Sequence, residues 1–288
     1  MRRVTVLEVI QRSTEFLARK GVDSPRLQTE LLLAHVLGLP RLRLYLEFQR
    51  QLGESEVESL RQLVRRRGCR EPLQHLMGTV SFCGHDLAVN RDVLIPRPET
   101  EQLAERAWSW LNGRGLEAAR VLDLGTGSGC LAVTLALRCS GARVVAVDLS
   151  EAALAMARVN AGRHQVADRI EFHCGDLYAA VPTGMRFDVV VANPPYIPSG
   201  DLATLAPEVR DYEPRQALDG GPDGLAVFER IARDGRAHLA EGGRLFAELG
   251  DGQGQALRTM FVGAGWEVVE IARDDTGRER FLMADSRR

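Results

Sequence analysis

Two stretches of this chain carry residue types that could do chemistry on a nitrogen atom. Val191 to Pro198 reads VANPPYIP, and Asp123 to Gly129 reads DLGTGSG. In the first, Asn193 follows an apolar β-branched run, and Pro194 and Pro195 then deny the chain further ladder hydrogen bonds and hold it extended. A planar amine or amide NH2 has two N–H donors and a lone pair drained by conjugation, so it must be oriented before it reacts. The Asn193 side-chain oxygen and the Pro194 carbonyl could each accept one N–H, with Pro195 keeping the pair rigid and Tyr196 lying against the flat group. Such a pair suits in-line displacement at a methyl carbon, which requires no metal and no covalent intermediate. No strong base stands beside Asn193 in the sequence. The plainer reading is a stiff exit from a strand.

The second stretch is a glycine turn between a strand and a helix. Absent side chains let the backbone approach a ligand, and the helix start presents unpaired N–H groups. Asp148 ends the next strand about 20 residues on, where such acids take both hydroxyls of a ribose. Gly125, Thr126, Gly127, Ser128 and Gly129, with Asp148, therefore read as a site for a nucleoside-containing cofactor. Gly127 to Ala132 also fits G-x-G-x-x-A, the fingerprint of dinucleotide enzymes, and spacing does not separate the two. Asp123 favours the first, because a carboxylate beside the turn suits the ammonium and sulfonium of S-adenosylmethionine and would repel a pyrophosphate. After the third strand, Asp176 could accept from an adenine amino group while Leu177 packs on the ring. An aspartate capping the next segment is the competing reading there.

The elements that must position these residues are ordinary in composition. The chain has 288 residues, 45% of them apolar and 26% charged, enough for one large α/β domain and a smaller unit. A formal net charge of −2 supplies no general field for nucleic acid. Arg65, Arg66, Arg67 and Arg70 cluster locally, where a solvated helix end is expected. Five scattered cysteines without a C-x-x-C pair indicate neither a disulfide framework nor a zinc site, and a reducing cytoplasm is expected. The opening MRRVTVLEVIQR is interrupted by Glu8, Gln11 and Arg12, so no secretory core forms. No run approaches a membrane span, and a soluble chain is expected.

Residues 4 to 77 read as helices. Leu7, Ile10, Phe16 and Leu17 mark the first, Asp23-Ser24-Pro25 opens the second as a cap followed by proline, Leu42, Leu44 and Leu46 mark a third, and EVESLRQLVRRRG is the fourth. His35, within an apolar helix, is expected to be packed and hydrogen-bonded. TVSFCGHDLAVN reads as a hairpin with a Gly-His turn. Pro98 starts a helix whose apolar face includes Leu103, Ala107 and Leu111. Strands and helices then alternate through ARVLDL, RVVAVD, RIEFH, FDVVVA, RLFAEL, WEVVEI and RFLMA, which predicts a doubly wound α/β sheet of seven strands with right-handed crossovers. The expected organisation is a helical unit over 1–78, a linking β-hairpin over 79–92 and a catalytic domain over 93–288.

DLGTGSG, Asp148 and Asn193-Pro194-Pro195-Tyr196 together resemble a class I S-adenosylmethionine-dependent methyltransferase that modifies an amino group. Asn-Pro-Pro-Tyr is shared with enzymes acting on exocyclic base nitrogens of DNA or ribosomal RNA. EPLQHLMG (71–78), the hairpin, IPRPETEQL (95–103) and DYEPRQALDGGPDGL (211–225) narrow the likeness to the PrmC/HemK family. The resemblance implies methylation of the side-chain amide nitrogen of the glutamine in the Gly-Gly-Gln motif of peptide-chain release factors, in the cytoplasm, without stable nucleic-acid binding. It implies a glutamine amide held by Asn193 and Pro194, with the N-terminal helices and hairpin docking the release factor. It further implies a sheet order 3-2-1-4-5-7-6 with the last strand antiparallel, and a cofactor site of Gly125 to Gly129, Asp148, Asp176, Leu177 and Asn193. Some family members have Trp where Leu177 stands, and Leu offers weaker packing on adenine. Arg97, Glu99 and Thr100 lie in a family-like segment, but Pro98 followed by acids is also an ordinary helix start.

Overall fold

The computed structural model describes residues 4–116 and 118–285. Met1, Arg2 and Arg3, read above against a secretory signal, lie outside them, as do Glu117 and the last residues, Ser286 to Arg288, of the expected catalytic domain. Two compact units divide the chain, one of Met1–Thr79 with Ala206–Tyr212 and one of Val80–Leu205 with Glu213–Arg288.

The smaller unit is helical. Its first helix, Val6–Arg19, begins in a reciprocal capping box, the Thr5 hydroxyl accepting from the Glu8 amide and the Glu8 carboxylate accepting from the Thr5 amide at 2.9 Å. Val6, Ile10 and Leu17 from that helix share a core with Leu32 and Leu33 of Pro25–Leu37 and with Leu60 and Val64 of Glu54–Gly68. Pro25 opens the second helix as expected, but Ser24 does not cap it. Its backbone is left-handed at φ 45 and its side chain makes no capping bond, while the Gln28 amide ties back to the Asp23 carbonyl at 2.7 Å. His35 is exposed, because this helix turns Leu32, Leu33 and Ala34 inward. The third segment is a 3-10 helix, Arg41–Leu46, whose tighter winding sends Leu44 inward and leaves Leu42 and Leu46 on the surface.

The arginine cluster is not simply a solvated helix end. Arg67 is 4% exposed and donates to Gln28 Oε1 at 2.5 Å, to the Glu71 carbonyl at 3.1 Å and to Glu208 at 2.7 Å. Arg70 takes the other Glu208 oxygen, also at 2.7 Å. A short segment from far along the chain thus neutralises charge that the helix sequence alone leaves unanswered, and Tyr212 adds a hydroxyl bond to the Cys69 carbonyl at 2.8 Å.

In the larger unit, β1 (Thr79–Phe82) and β2 (His85–Ala88) form the hairpin. Its two-residue turn is Cys83-Gly84, with φ 50 and 83 as a type I′ turn needs, one residue earlier than a Gly-His turn. The sheet follows with β3 (Arg120–Leu124), β4 (Arg143–Asp148), β5 (Ile170–Cys174), β6 (Phe187–Ala192), β7 (Leu239–Glu248), β8 (Val268–Arg273) and β9 (Glu279–Asp285). Their order is β5-β4-β3-β6-β7-β9-β8, with β9 antiparallel to both neighbours, which is the expected 3-2-1-4-5-7-6. Apolar side chains cover both faces: Val121, Val144, Ala146, Val189 and Val191 point to one core, and Leu122, Leu124, Val145, Val190 and Ala192 to the other. Parallel register sets Leu124 beside Val147 and Ala192, so β3, β4 and β6 end together at one edge. No helix of the described residues is long and apolar enough to cross a membrane.

Arg67→Ala should lower the stability of the helical unit by about 2 kcal/mol, because Glu208 loses one partner and a buried stem leaves a gap. Urea denaturation monitored by far-UV dichroism checks this. A loss below about 0.5 kcal/mol, the usual effect of an exposed substitution, would show that Arg67 behaves as a surface residue.

Candidate active site

The edge where β3, β4 and β6 end opens into a cavity of about 320 Å³. Gly125, Thr126, Gly127 and Ser128 are among the residues that line it, as are Asp148, Asp176, Leu177, Asn193 and Pro195. Most of the expected site residues therefore meet around one space. Gly129 lies behind the wall: it caps the helix Cys130–Arg138 with φ +79, and a Cβ there would stand 3.0 Å from the Ala157 Cβ. The glycine is needed for close helix packing as well as for its conformation.

Asp123 departs from its expected role. Strand alternation puts it on the face of Val121 and Val191, beneath the helix Cys130–Arg138. It is fully buried and is not among the cavity-lining residues. One oxygen accepts from the Thr126 hydroxyl at 2.6 Å and from the Ala132 amide at 3.1 Å, pinning the glycine turn and satisfying an amide in the first turn of the helix. The other has no hydrogen-bond partner, and burial pushes the carboxyl up to about 7 from an ordinary 3.8. The acid shapes the loop from below instead of facing a ligand.

Asp148 accepts from the Gly127 amide at 2.8 Å and the Ser150 amide at 2.9 Å, one on each oxygen. Each oxygen keeps acceptor capacity, and together they can take a vicinal diol. Burial raises its carboxyl, an effect these amides oppose. Leu177 reaches the cavity from a strained turn, with φ 48 after Gly175 at φ 154. Asp176 caps nothing by side chain; it pairs with Arg230 at 2.7 Å, and Arg230 also lines the cavity. No local pattern singles out Arg230, which comes from another helix, Ala226–Gly235.

Asn193 sits at the end of a buried network. Its side-chain NH2 donates to the Thr100 hydroxyl at 3.1 Å, and that hydroxyl lies 2.7 Å from Glu248, which is 1% exposed. The Tyr196 hydroxyl donates to the other Glu248 oxygen at 3.1 Å. Tyr196 is thus turned toward β7 and is not a cavity-lining residue. Burial raises the Glu248 carboxyl, while the Thr100 and Tyr196 hydroxyls pull the other way. Among the described residues no hydrogen-bond donor reaches Asn193 Oδ1 or the carbonyl of the buried Pro194. Arg97 is engaged with Glu213 at 2.5 Å, leaving Thr100 as the member of its segment that meets Asn193. Glu248 was missed in the sequence, although an acid closing the apolar run RLFAE carries the same signal as Asp148 at the end of RVVAVD.

The motif's backbone is held by the DGGPDGL loop. Ile197 pairs with Asp219 as an isolated parallel bridge, with Ile197 N–H donating to Leu218 at 3.0 Å and Gly220 N–H donating to Ile197 at 2.9 Å. A Cβ on Gly220 would lie 2.7 Å from the Pro195 carbonyl, and one on Gly224, at φ +79, would collide with the Tyr196 carbonyl. Gln253 locks the same carbonyl with a 3.0 Å bond. The glycines allow a second backbone to press directly on Asn193-Pro194-Pro195-Tyr196.

Comparison with known proteins gives concordant matches. A model of the PrmC N-terminal domain matches residues 8–78, and a model of the methyltransferase small domain matches residues 109–206. The release factor glutamine methyltransferase of Geobacter sulfurreducens is 46% identical over 279 residues, covering 96% of this chain and 95% of the relative. That of Chlorobaculum tepidum is 44% identical over 284 residues, covering 96% of each. Among solved structures, a Pyrococcus furiosus methyltransferase matches with TM-score 0.52 and 18% identity over 71% of this chain and 90% of its own. A T. thermophilus 16S rRNA methyltransferase in complex with AdoMet and guanosine matches with TM-score 0.51 and 21% identity over 73% of this chain and 50% of its own. These two likenesses concern the fold.

The raised Asp123 carboxyl has a consequence for stability. In the unfolded chain it ionises near 3.8 and in the folded chain near about 7, so its contribution is whole below the lower value and is lost as pH rises through the upper. The stability of the protein relative to Asp123→Asn should therefore fall between pH 5 and pH 8 in paired urea titrations. A difference that does not change with pH would contradict the assignment.

Proposed function

This chain belongs to the release factor glutamine methyltransferase family, and on that premise we propose that it transfers a methyl group from S-adenosylmethionine to the side-chain amide nitrogen of the glutamine in the Gly-Gly-Gln motif of peptide-chain release factors. The observation that carries the reading is the pair of acceptors at Asn193. Its NH2 is committed to Thr100, and among the described residues neither its oxygen nor the Pro194 carbonyl that follows has a donor. Pro194 is buried and is not a cavity-lining residue, so its carbonyl must be reached from beside Asn193; two acceptors from adjacent residues fit a planar NH2 with two N–H groups and disfavour a hydroxyl, which has one donor.

The cavity fits the donor: a glycine turn, a carboxylate with spare acceptor capacity for a ribose, and Leu177 as an apolar surface for a ring all line it. When bound, S-adenosylmethionine supplies an electrophilic methyl carbon and a thioether leaving group. Asn193 Oδ1 and the Pro194 carbonyl then hold both N–H bonds of the incoming amide, which fixes its plane and stabilises the positive charge that grows on nitrogen. Proline stiffness and the pressed glycine loop keep these acceptors from relaxing toward each other. The acid behind Asn193, Glu248, reaches it only through Thr100, so the methylated nitrogen gives up its proton to water.

Under this reading Asn193 and Pro194 are the catalytic groups, and Pro195 and Tyr196 support them. Gly125 to Ser128, Asp148 and Leu177 line the donor site, Gly129 shapes it from behind, and Asp176 must share its carboxylate between Arg230 and an adenine amino group. The helical unit and the hairpin dock the release factor, the partner that places this work in the cytoplasm. A net charge of −2 supports a protein substrate over exocyclic nitrogens of DNA or ribosomal RNA, which call for a basic groove to grip the backbone.

The test is methyl transfer from labelled donor to a release factor, to the same factor with its loop glutamine replaced, and to unmodified DNA and ribosomal RNA. Label is expected on the first alone. Label that survives the glutamine replacement, or that appears only on nucleic acid, would overturn the proposal. Asn193→Ala should retain donor affinity by calorimetry while kcat falls about 100-fold, the scale of one positioned electrostatic group. Full turnover by that variant would remove Asn193 from catalysis.

A further inference from the structure

We propose that Thr100 and Glu248 are positioning residues that decide which end of the Asn193 amide faces the substrate. The inference rests on the reading just given and deepens it. An asparagine amide is nearly symmetric in shape, and its oxygen and nitrogen can exchange places by a half-turn of the side chain. The exchange would be fatal to the chemistry, because an NH2 turned toward a substrate NH2 opposes donor to donor. Proline stiffness in the backbone does nothing to prevent it, so the polarity must be imposed through the side chain.

Glu248 imposes it. Both of its oxygens accept from hydroxyl donors, Tyr196 at 3.1 Å and Thr100 at 2.7 Å. The single Thr100 proton is thereby spent on Glu248. What Thr100 offers Asn193 is a lone pair, and the 3.1 Å contact must be made by the Asn193 NH2. Oδ1 is left facing away from the network, unpartnered among the described residues. The relay is buried at Glu248 and Thr100, each 1% exposed, so water does not compete for it. Because Tyr196 and Asn193 are the last and first residues of the motif, one carboxylate governs both its ends.

Thr100 comes from the first turn of Pro98–Gly113 and Glu248 from the last residue of β7, so the relay also explains why a helix start outside the alternating β/α core belongs to the site. Thr100→Val keeps the shape and removes the acceptor, leaving the Asn193 amide free to present either end. Steady-state methylation of a release factor should show kcat lowered about 10-fold, with donor affinity by calorimetry unchanged and Thr100→Ser restoring most of the rate. Glu248→Gln, which can donate as well as accept, should lower kcat several-fold.

The decisive arm is a double-mutant cycle. In an Asn193→Ala background Thr100→Val should change kcat by less than about 2-fold, since it then has no amide to orient. Full additivity there, a loss not rescued by serine, or unchanged kcat in Thr100→Val or Glu248→Gln would overturn the inference while the methylation reading stands. Failure of the unsubstituted protein to label the loop glutamine removes both, and the two failures are read from different arms.

Discussion

Every chemically important group in the larger unit depends on parallel strands ending together. Parallel register places the ends of β3, β4 and β6 in line, and the chain leaves each of them with a residue that cannot continue a buried strand. Asp148 closes β4, Asn193 follows β6 into two prolines, and Glu248 closes the neighbouring β7. Each polar group is thus carried on an element buried on both faces, where its position is set by packing against two cores. A shift of one residue in any of these strands would exchange its side chains between the two cores and move the polar end group with them.

That edge is expensive to build. Asp123 and Glu248 are almost entirely removed from water, and burial raises both carboxyls. A buried acid is tolerated when donors surround it, and those donors are in turn held in place by it. The two acids use that property in the same manner. Asp123 holds the Thr126 hydroxyl and an amide of the following helix, which shapes the glycine turn. Glu248 holds two hydroxyls, and through one of them it sets the direction of the Asn193 amide. Neither acid touches the space where reaction takes place, yet the two walls of that space take their form from them.

Much of this was legible in the sequence for local reasons. Short apolar β-branched runs mark the seven sheet strands, prolines mark the start of Pro98–Gly113 and the exit from β6, and glycines with an acid at the next strand end locate the cavity. The same reasoning misjudged residues whose surroundings come from elsewhere. Arg67 looked like part of a solvated run because its partner, Glu208, lies on a segment 141 residues away. His35 looked packed because its neighbours are apolar, although the helix faces it outward. A carboxylate beside a glycine turn suggests contact with a ligand, while alternation along β3 assigns Asp123 to the side of Val121 and hence beneath a helix.

Near-neighbour patterns in the chain are enough to specify the elements and the kind of chemistry: a strand–glycine turn–helix for a nucleoside, and an asparagine stiffened by two prolines for a planar nitrogen. These follow from backbone restrictions that act between near neighbours. Only the tertiary structure decided the polarity of the site. Thr100 and Glu248 are 148 residues apart, as Asn193 and Thr100 are 93 apart, and no local preference fixes which end of an amide points outward. That choice belongs to one proton in a buried chain of hydrogen bonds, and such a chain exists only once distant elements have packed together.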